Sequence, residues 1–140
     1  FPFMLESEFS GCLVGSHHVR KELDTAEITR LAVDPAIADR GLSARLMRTI
    51  LKAMYHWTLA NDIRYTYLVV ESRLLRVVQR IGWPCHAIGA PVALPPADVL
   101  SVGALLDLDE FRSAAASERP EMLKWLNTTE PTTADIAARA

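Results

Sequence analysis

The sequence predicts an α/β domain in which a mixed sheet is flanked by helices. Three observations predict it. Residues 42–60 carry an apolar pattern of helical period, set between two stretches of β-branched and aromatic residues. A second helical stretch, 72–81, follows the second of those strands directly. Strand–helix–strand units favour parallel neighbours with right-handed crossovers, and the strands expected further along close an antiparallel edge.

In chain order, residues 1–25 read as irregular, with a short helix expected from Leu5 to Phe9 and a charged loop or turn at "HHVRKELD". Strand character begins near Glu27 and stops at Asp34-Pro35, where proline removes a ladder donor and restricts the residue before it. In the helix over 42–60, Leu42, Leu46, Ile50, Met54 and Trp57 share one face and Arg45, Arg48 and Lys52 the opposite one. Asn61-Asp62 stops it. "IRYTYLVV", residues 63–70, is a buried strand. Ser72 is the expected N-cap of the next helix, Leu74, Val77, Val78 and Ile81 its apolar stripe, and Gly82 its terminator. "CHAIG" is a short strand, "APVALPPAD" a proline-rich connection, and residues 99–108 a final strand. "ERPEMLKWLN" suits a helix with Pro120 in its first turn. The last residues suit a frayed end or a short helix. The expected division is a core over 1–112 and a helical tail over 113–140.

Composition narrows the function. Of 140 residues, 50% are hydrophobic and 23% charged, and the net charge is −2. Bulk electrostatics therefore exclude a nucleic-acid binder. No apolar run approaches the ~20 residues a membrane helix needs, so no membrane insertion is expected. Cys12 and Cys85 lack a metal-like spacing and read as reduced, packed thiols of a cytoplasmic protein. The four histidines show no metal or triad spacing. The chain begins on Phe1 rather than Met, which places the expected start of the protein upstream.

Three groups of residues suit chemistry. Arg40-Gly41-Leu42-Ser43 stands at the mouth of a helix, where free N–H groups and the dipole suit a phosphate; simple capping explains the same residues. Glu27 and Arg30 are an odd number of residues apart, so a regular strand puts them on opposite faces. A bulge between them would bring both to one site and free backbone N–H groups to polarise a carbonyl. Glu27 would then take a proton from an amine and Arg30 hold a carboxylate; the alternative is a structural ion pair. Arg45, Arg48 and Lys52 form one basic stripe and Arg73, Arg76 and Arg80 another. Both are either solvated faces or a docking surface for an acidic protein.

The stretches "AEITRLAVD…RGLSARLM" and "YLVVESRLLRVVQRIGWPCHAIGAP" resemble the C-terminal two-thirds of the acyl-homoserine-lactone synthases. They are more similar still to the bacterial N-acyl amino acid synthases, relatives built on the GNAT acyltransferase fold. "FPFMLE" resembles the segment that precedes the Glu-x-Ser/Thr-Arg strand of those proteins. The most specific matches are Glu27-Ile28-Thr29-Arg30 and Arg80-Ile81-Gly82-Trp83-Pro84 with Ile88-Gly89.

The resemblance implies a GNAT-like fold whose N-terminal part is missing from this chain. It implies transfer of a long-chain fatty acyl group from acyl carrier protein to the amino group of an amino acid or a derivative. Glu27 and Arg30 become the catalytic pair. Leu31, Ala32 and Val33 supply oxyanion donors, and Arg40, Gly41, Leu42 and Ser43 cover the phosphopantetheine arm. The two basic stripes become the carrier-protein dock. No permanently bound cofactor or metal is expected. Ala38 stands where general GNAT proteins carry Gln or Arg, and Ser43 where a second glycine is common. Acyl-CoA is therefore the less favoured donor. The alternatives are a CoA-dependent GNAT acetyltransferase and a non-catalytic module that holds an acyl chain or carrier protein.

Overall fold

A computed structural model describes residues 2–13 and 17–128. The element order is a 3₁₀ turn (Ser10–Cys12), β1 (Thr25–Ile28), α1 (Arg40–Ala60), β2 (Tyr65–Glu71), α2 (Ser72–Arg80), β3 (His86–Ala87), β4 (Val92–Leu94), β5 (Val99–Asp107), α3 (Leu108–Glu118) and α4 (Pro120–Leu126). The strands form one five-stranded mixed sheet in the order β1-β2-β5-β3, with β4 also on β5. β1 and β2 are parallel; β5 is antiparallel to β2, β3 and β4.

Alternation along the strands divides the core in two. Leu68, Val102, Ala104 and Leu106 meet Leu51 and Tyr55 of α1, Leu75 and Val78 of α2, Phe111 and Ala115 of α3 and Leu126 of α4. Tyr67, Val69 and Leu105, one residue out of phase, instead meet Leu5, Phe3, Phe9, Cys12 and Leu13 of the N-terminal segment. The four helices thus cover one face, and an irregular strap covers the other. The Trp83 and Phe111 rings stack at 4.3 Å between centroids, 7° from parallel, fastening α3 to the turn after α2.

Two glycines are dictated by position. Gly82 ends α2 at φ +106°, and a Cβ there would lie 2.7 Å from Cδ of Arg119. Gly103 lies in β5 where the strap and the β3–β4 link come close; its Cβ would meet Ile88 Cγ1 at 3.1 Å and the Cys12 carbonyl at 3.2 Å.

Several expectations need correction. The first strand ends at Ile28 rather than near Asp34, because Arg30 takes φ +57° and the chain leaves the ladder. Leu5–Phe9 is a set of turns, with the Phe9 N–H donating to the Met4 carbonyl, and the helical turn begins only at Ser10. Glu71, not Ser72, precedes α2, and neither side chain caps it. The proline-rich connection holds β4, which pairs with β5 through a turn at Pro95–Asp98. α3 was not foreseen. It spans the expected 112/113 boundary and buries Leu108, Phe111 and Ala115 in the main core. Residues 129–140, where a frayed end was expected, lie outside the described residues.

The apolar face of α1 is also displaced from the expected one. Its buried residues are Leu51, Lys52, Tyr55 and Thr58, while Trp57 is 53% exposed. The cause is α4, which covers a second flank of α1. Lys52 Nζ donates to Thr128 Oγ1 at 2.6 Å and sits 4.8 Å from the Trp125 ring centre, and Tyr55 OH donates to Asn127 Oδ1 at 2.8 Å. A lysine that buries its stem under an aromatic ring belongs to the packing.

Candidate active site

The site begins where β1 stops. Its ladder with β2 runs from Thr25↔Tyr65 to Ile28↔Leu68. β2 continues to Glu71, so its β1-facing edge is unpaired over Val69–Glu71 among the described residues. The two strands splay, and a cavity of about 500 Å³ fills the opening. Ile28, Thr29, Arg30 and Leu31 border it on one side and Leu68, Val69, Val70 and Glu71 on the other.

Because the lining comes from both strand phases, the cavity passes through the sheet. On the helix face it is walled by Leu51, Met54 and Tyr55 of α1, Leu74 and Val78 of α2, Trp83, Cys85, Leu106 and Leu108. That half is apolar apart from Thr58 and Thr66. On the strap face it is bordered by Met4, Glu8, Phe9, Glu27 and Glu71. The strap half is therefore acidic at its rim, with Arg30 at the junction.

Glu27 is not idle there. Its Oε1 accepts the Leu5 N–H at 2.7 Å and its Oε2 the Met4 N–H at 2.8 Å. Arg30 has no ion-pair partner among the described residues. The N–H groups of Leu31, Ala32 and Val33 have no acceptor among them either, but of the three only Leu31 lines the cavity. Cys85 also lines it, and burial pushes its thiol up to about 12.

The other expected site residues are placed elsewhere. Arg40, Gly41, Leu42 and Ser43 open α1 but do not line the cavity. The helix mouth is already occupied: the Asp39 carboxylate accepts the Gly41 N–H at 2.8 Å and the Leu42 N–H at 3.0 Å, and the Asp39 carbonyl accepts the Ser43 N–H at 2.9 Å. Those bonds hold the Asp39 carboxyl below its ordinary range, so it stays ionised and repels a phosphate. The anion cradle expected over Arg40–Ser43 is thus a capped helix start. An Asp directly before a helical pattern is a capping signal that was there to be read. Arg45 and Arg48 are exposed, as are Arg73, Arg76 and Arg80 on α2. Lys52 leaves the first stripe because it is 5% exposed. No local pattern marks Met4, Glu8 or Glu71: the strap's path brings Met4 and Glu8 to the cavity, and Glu71 borders it because β2 runs on past the end of β1.

Among the described residues, no three His, Cys, Asp or Glu side chains gather as metal ligands, and no helix is long and apolar enough to cross a membrane.

A mixed sheet opened by two diverging strands, with helices behind it, defines an α/β fold. The family model described as Autoinducer synthase matches residues 1–115, and the chain belongs to that family. A probable acyl-homoserine-lactone synthase of Sinorhizobium fredii is 30% identical over 93 residues, which is 64% of this chain and 44% of that protein. The acyl-homoserine-lactone synthase of Agrobacterium fabrum is 28% identical over 97 residues, 66% of this chain and 45% of that protein. The chain thus spans somewhat under half the length of these relatives. Among solved structures, BjaI, a CoA-dependent acyl-homoserine lactone synthase crystallised with MTA, superposes with a TM-score of 0.67 at 17% identity, covering 99% of this chain and 62% of that one. Apo TofI gives 0.64 at 22% identity, covering 87% and 62%. These likenesses establish the fold.

Proposed function

We infer that this chain carries the thioester site of an N-acyltransferase that moves a fatty acyl group to the amino group of an amino-acid-type acceptor. The observation that carries the reading is the cavity's passage through the sheet at the β1–β2 splay, apolar on the helix face and acidic on the strap face. An acyl chain suits the first half, because its burial removes apolar surface from water. A cationic amine suits the second. The thioester carbonyl then lies in the gap, beside strand-edge backbone that has lost its partners.

The reaction is direct. The amine attacks the thioester carbon as the neutral base, its ammonium proton having passed to solvent; the C–N bond forms, the C–S bond breaks, and the proton the nitrogen then sheds is relayed by way of Glu27 to the sulfur, which leaves as thiol. Glu27 receives the amine proton through water, each of its oxygens retaining a lone pair beyond the N–H bond it accepts. The Leu31 N–H supports the oxyanion. Arg30, which has no ion-pair partner among the described residues, takes the acceptor's carboxylate.

For the donor, acyl carrier protein is favoured by the capped α1 mouth, which offers no phosphate cradle, and by the exposed arginines of α1 and α2. Acyl-CoA is the second reading, because BjaI and MesI are described as CoA-dependent. BjaI is also known with SAM and isopentyl-CoA, which makes SAM, an amino acid derivative, the first acceptor to test.

The test offers dodecanoyl carrier protein and dodecanoyl-CoA in parallel, with SAM or an amino acid mixture, and detects new acylated amines by mass spectrometry. Product from the carrier protein at a rate well above that from CoA is expected. Product from CoA alone reverses the donor assignment, and donor binding with no product leaves a binding module.

A further inference from the structure

On the strap face the cavity is closed not by the sheet but by the turn at residues 3–9, and that turn is attached at Glu27. The Met4 and Leu5 amides are adjacent in sequence and stand 23 and 22 residues from Glu27. Each gives one short charge-assisted bond to a different carboxylate oxygen, a fork that fixes both position and orientation. Leu5 is 0% exposed, and Met4 and Phe9 face the cavity from the same turn. The remaining polar bonds of the turn are local, apart from the Glu6–Lys21 pair at 2.7 Å, which is too exposed to hold it firmly.

We propose that Glu27, beyond its proton role, is a positioning residue: it pins the turn at residues 3–9 as the acceptor-side wall, and through Met4 and Phe9 that wall sets which amine fits. The inference rests on the reading that the strap face receives the acceptor. Its physical basis is the asymmetry of the pins. Glu27→Gln keeps the size of the side chain but removes the charge and sets a side-chain NH₂ against one of the two amide donors, so one bond becomes a repulsion. The core on the helix face touches neither amide, so the wall is the part that gives way.

The experiment uses the 140-residue chain and reads amide exchange, which loss of a proton acceptor and its charge alone leaves unmoved, beside two affinities, for which Met4→Ala separates the wall from the charge. Amide hydrogen exchange is followed at Met4 and Leu5, with β2 as the internal control. Affinity is measured by calorimetry for SAM, and separately for dodecanoic acid as a probe of the apolar half. In Glu27→Gln, exchange at Met4 and Leu5 is expected to quicken about tenfold or more while β2 is unchanged. SAM affinity is expected to fall about tenfold, with dodecanoic acid changing less than about twofold. Unchanged exchange overturns the pinning. Faster exchange with unchanged SAM affinity overturns the wall's role in acceptor fit. Met4→Ala provides the second variant, since it keeps Glu27 and both amide donors. It should weaken SAM severalfold without altering exchange, and unmoved SAM affinity there also overturns the wall. Wild-type chain that binds dodecanoic acid but not SAM ends the acceptor assignment itself and this inference with it. Wild-type SAM binding with unaffected variants ends this inference alone.

Discussion

Glu27 and Arg30 border one cavity although they stand three residues apart in a stretch that reads as a single strand. A regular strand would send them to opposite faces. The chain avoids this by ending β1 at Ile28 and turning at Arg30 with φ +57°. A left-handed arginine is a costly choice for an L residue, so the kink is held by its surroundings.

That cost gives a prediction. Arg30→Gly removes the guanidinium but suits the backbone, and should match or exceed the parent by up to about 1 kcal/mol in urea denaturation. Arg30→Val suits neither, and should lose about 1–2 kcal/mol. Both variants lose the proposed carboxylate contact. An acyl-transfer rate lower in the valine variant than in the glycine variant therefore measures the kink alone. Equal stability of the two would mean that residue 30 relaxes out of the left-handed region.

The exposed arginines give a second. Charge reversal of Arg73, Arg76 and Arg80 together should reduce acyl-carrier-protein affinity at least about tenfold, by loss of attraction and gain of repulsion. The parent affinity should decline as salt rises from low to physiological strength, and the variant's should not. Surface plasmon resonance across a salt series reads both. Lys52→Glu is the contrast: it is expected to destabilise the fold, because the side chain is 5% exposed and packed on Trp125.

Cys85 links pH to stability. Burial pushes its thiol up to about 12, against about 8.5 in an unfolded chain. The folded state therefore keeps a proton that the unfolded state releases. Stability from this group is complete below about pH 8.5 and declines as pH rises from there towards 12. Urea titrations from pH 7 to 10 should show a downward slope that Cys85→Ala flattens. Maleimide labelling at pH 8 should be negligible until urea is added; fast labelling of native protein would mean the cavity wall opens.

Asp39 acts in the opposite pH range. The Leu42 and Gly41 amides hold its carboxyl below the ordinary range, which Arg45 reinforces. The folded value is depressed, so its contribution to α1 is present above the ordinary aspartate pKa and is lost as pH falls through the lowered one. Thermal melts followed by circular dichroism should show Asp39→Ala a few degrees less stable at pH 7, with the difference closing in strong acid. Asp39→Asn, which still caps, should lie between the two. A difference independent of pH would assign the effect to something other than the ionised cap.

The elements that announce themselves in the sequence are those whose local pattern and tertiary setting agree. The helix after Arg40, the strand at Tyr65–Glu71, the stop at Gly82 and the helix opening on Pro120 follow from periodicity, β-branching, a left-handed glycine and proline's fixed φ, all properties of neighbouring residues. Glu27-Ile28-Thr29-Arg30, the motif of the resemblance, places a carboxylate and a guanidinium on the border of one cavity.

What the chain's own order could not decide is which groups meet across distance. α4 lies along α1 and draws Lys52 inward, against a helical wheel that puts it in solvent. The strap folds over the second face of the sheet and delivers Met4 and Glu8 to a cavity whose other wall is made by α2 and β5. The divergence of β1 from β2 is decided in the same way, because one strand's end is visible only against the strand it leaves. Periodicity records how each segment divides its residues between two sides; only the packed structure decides what stands on either side.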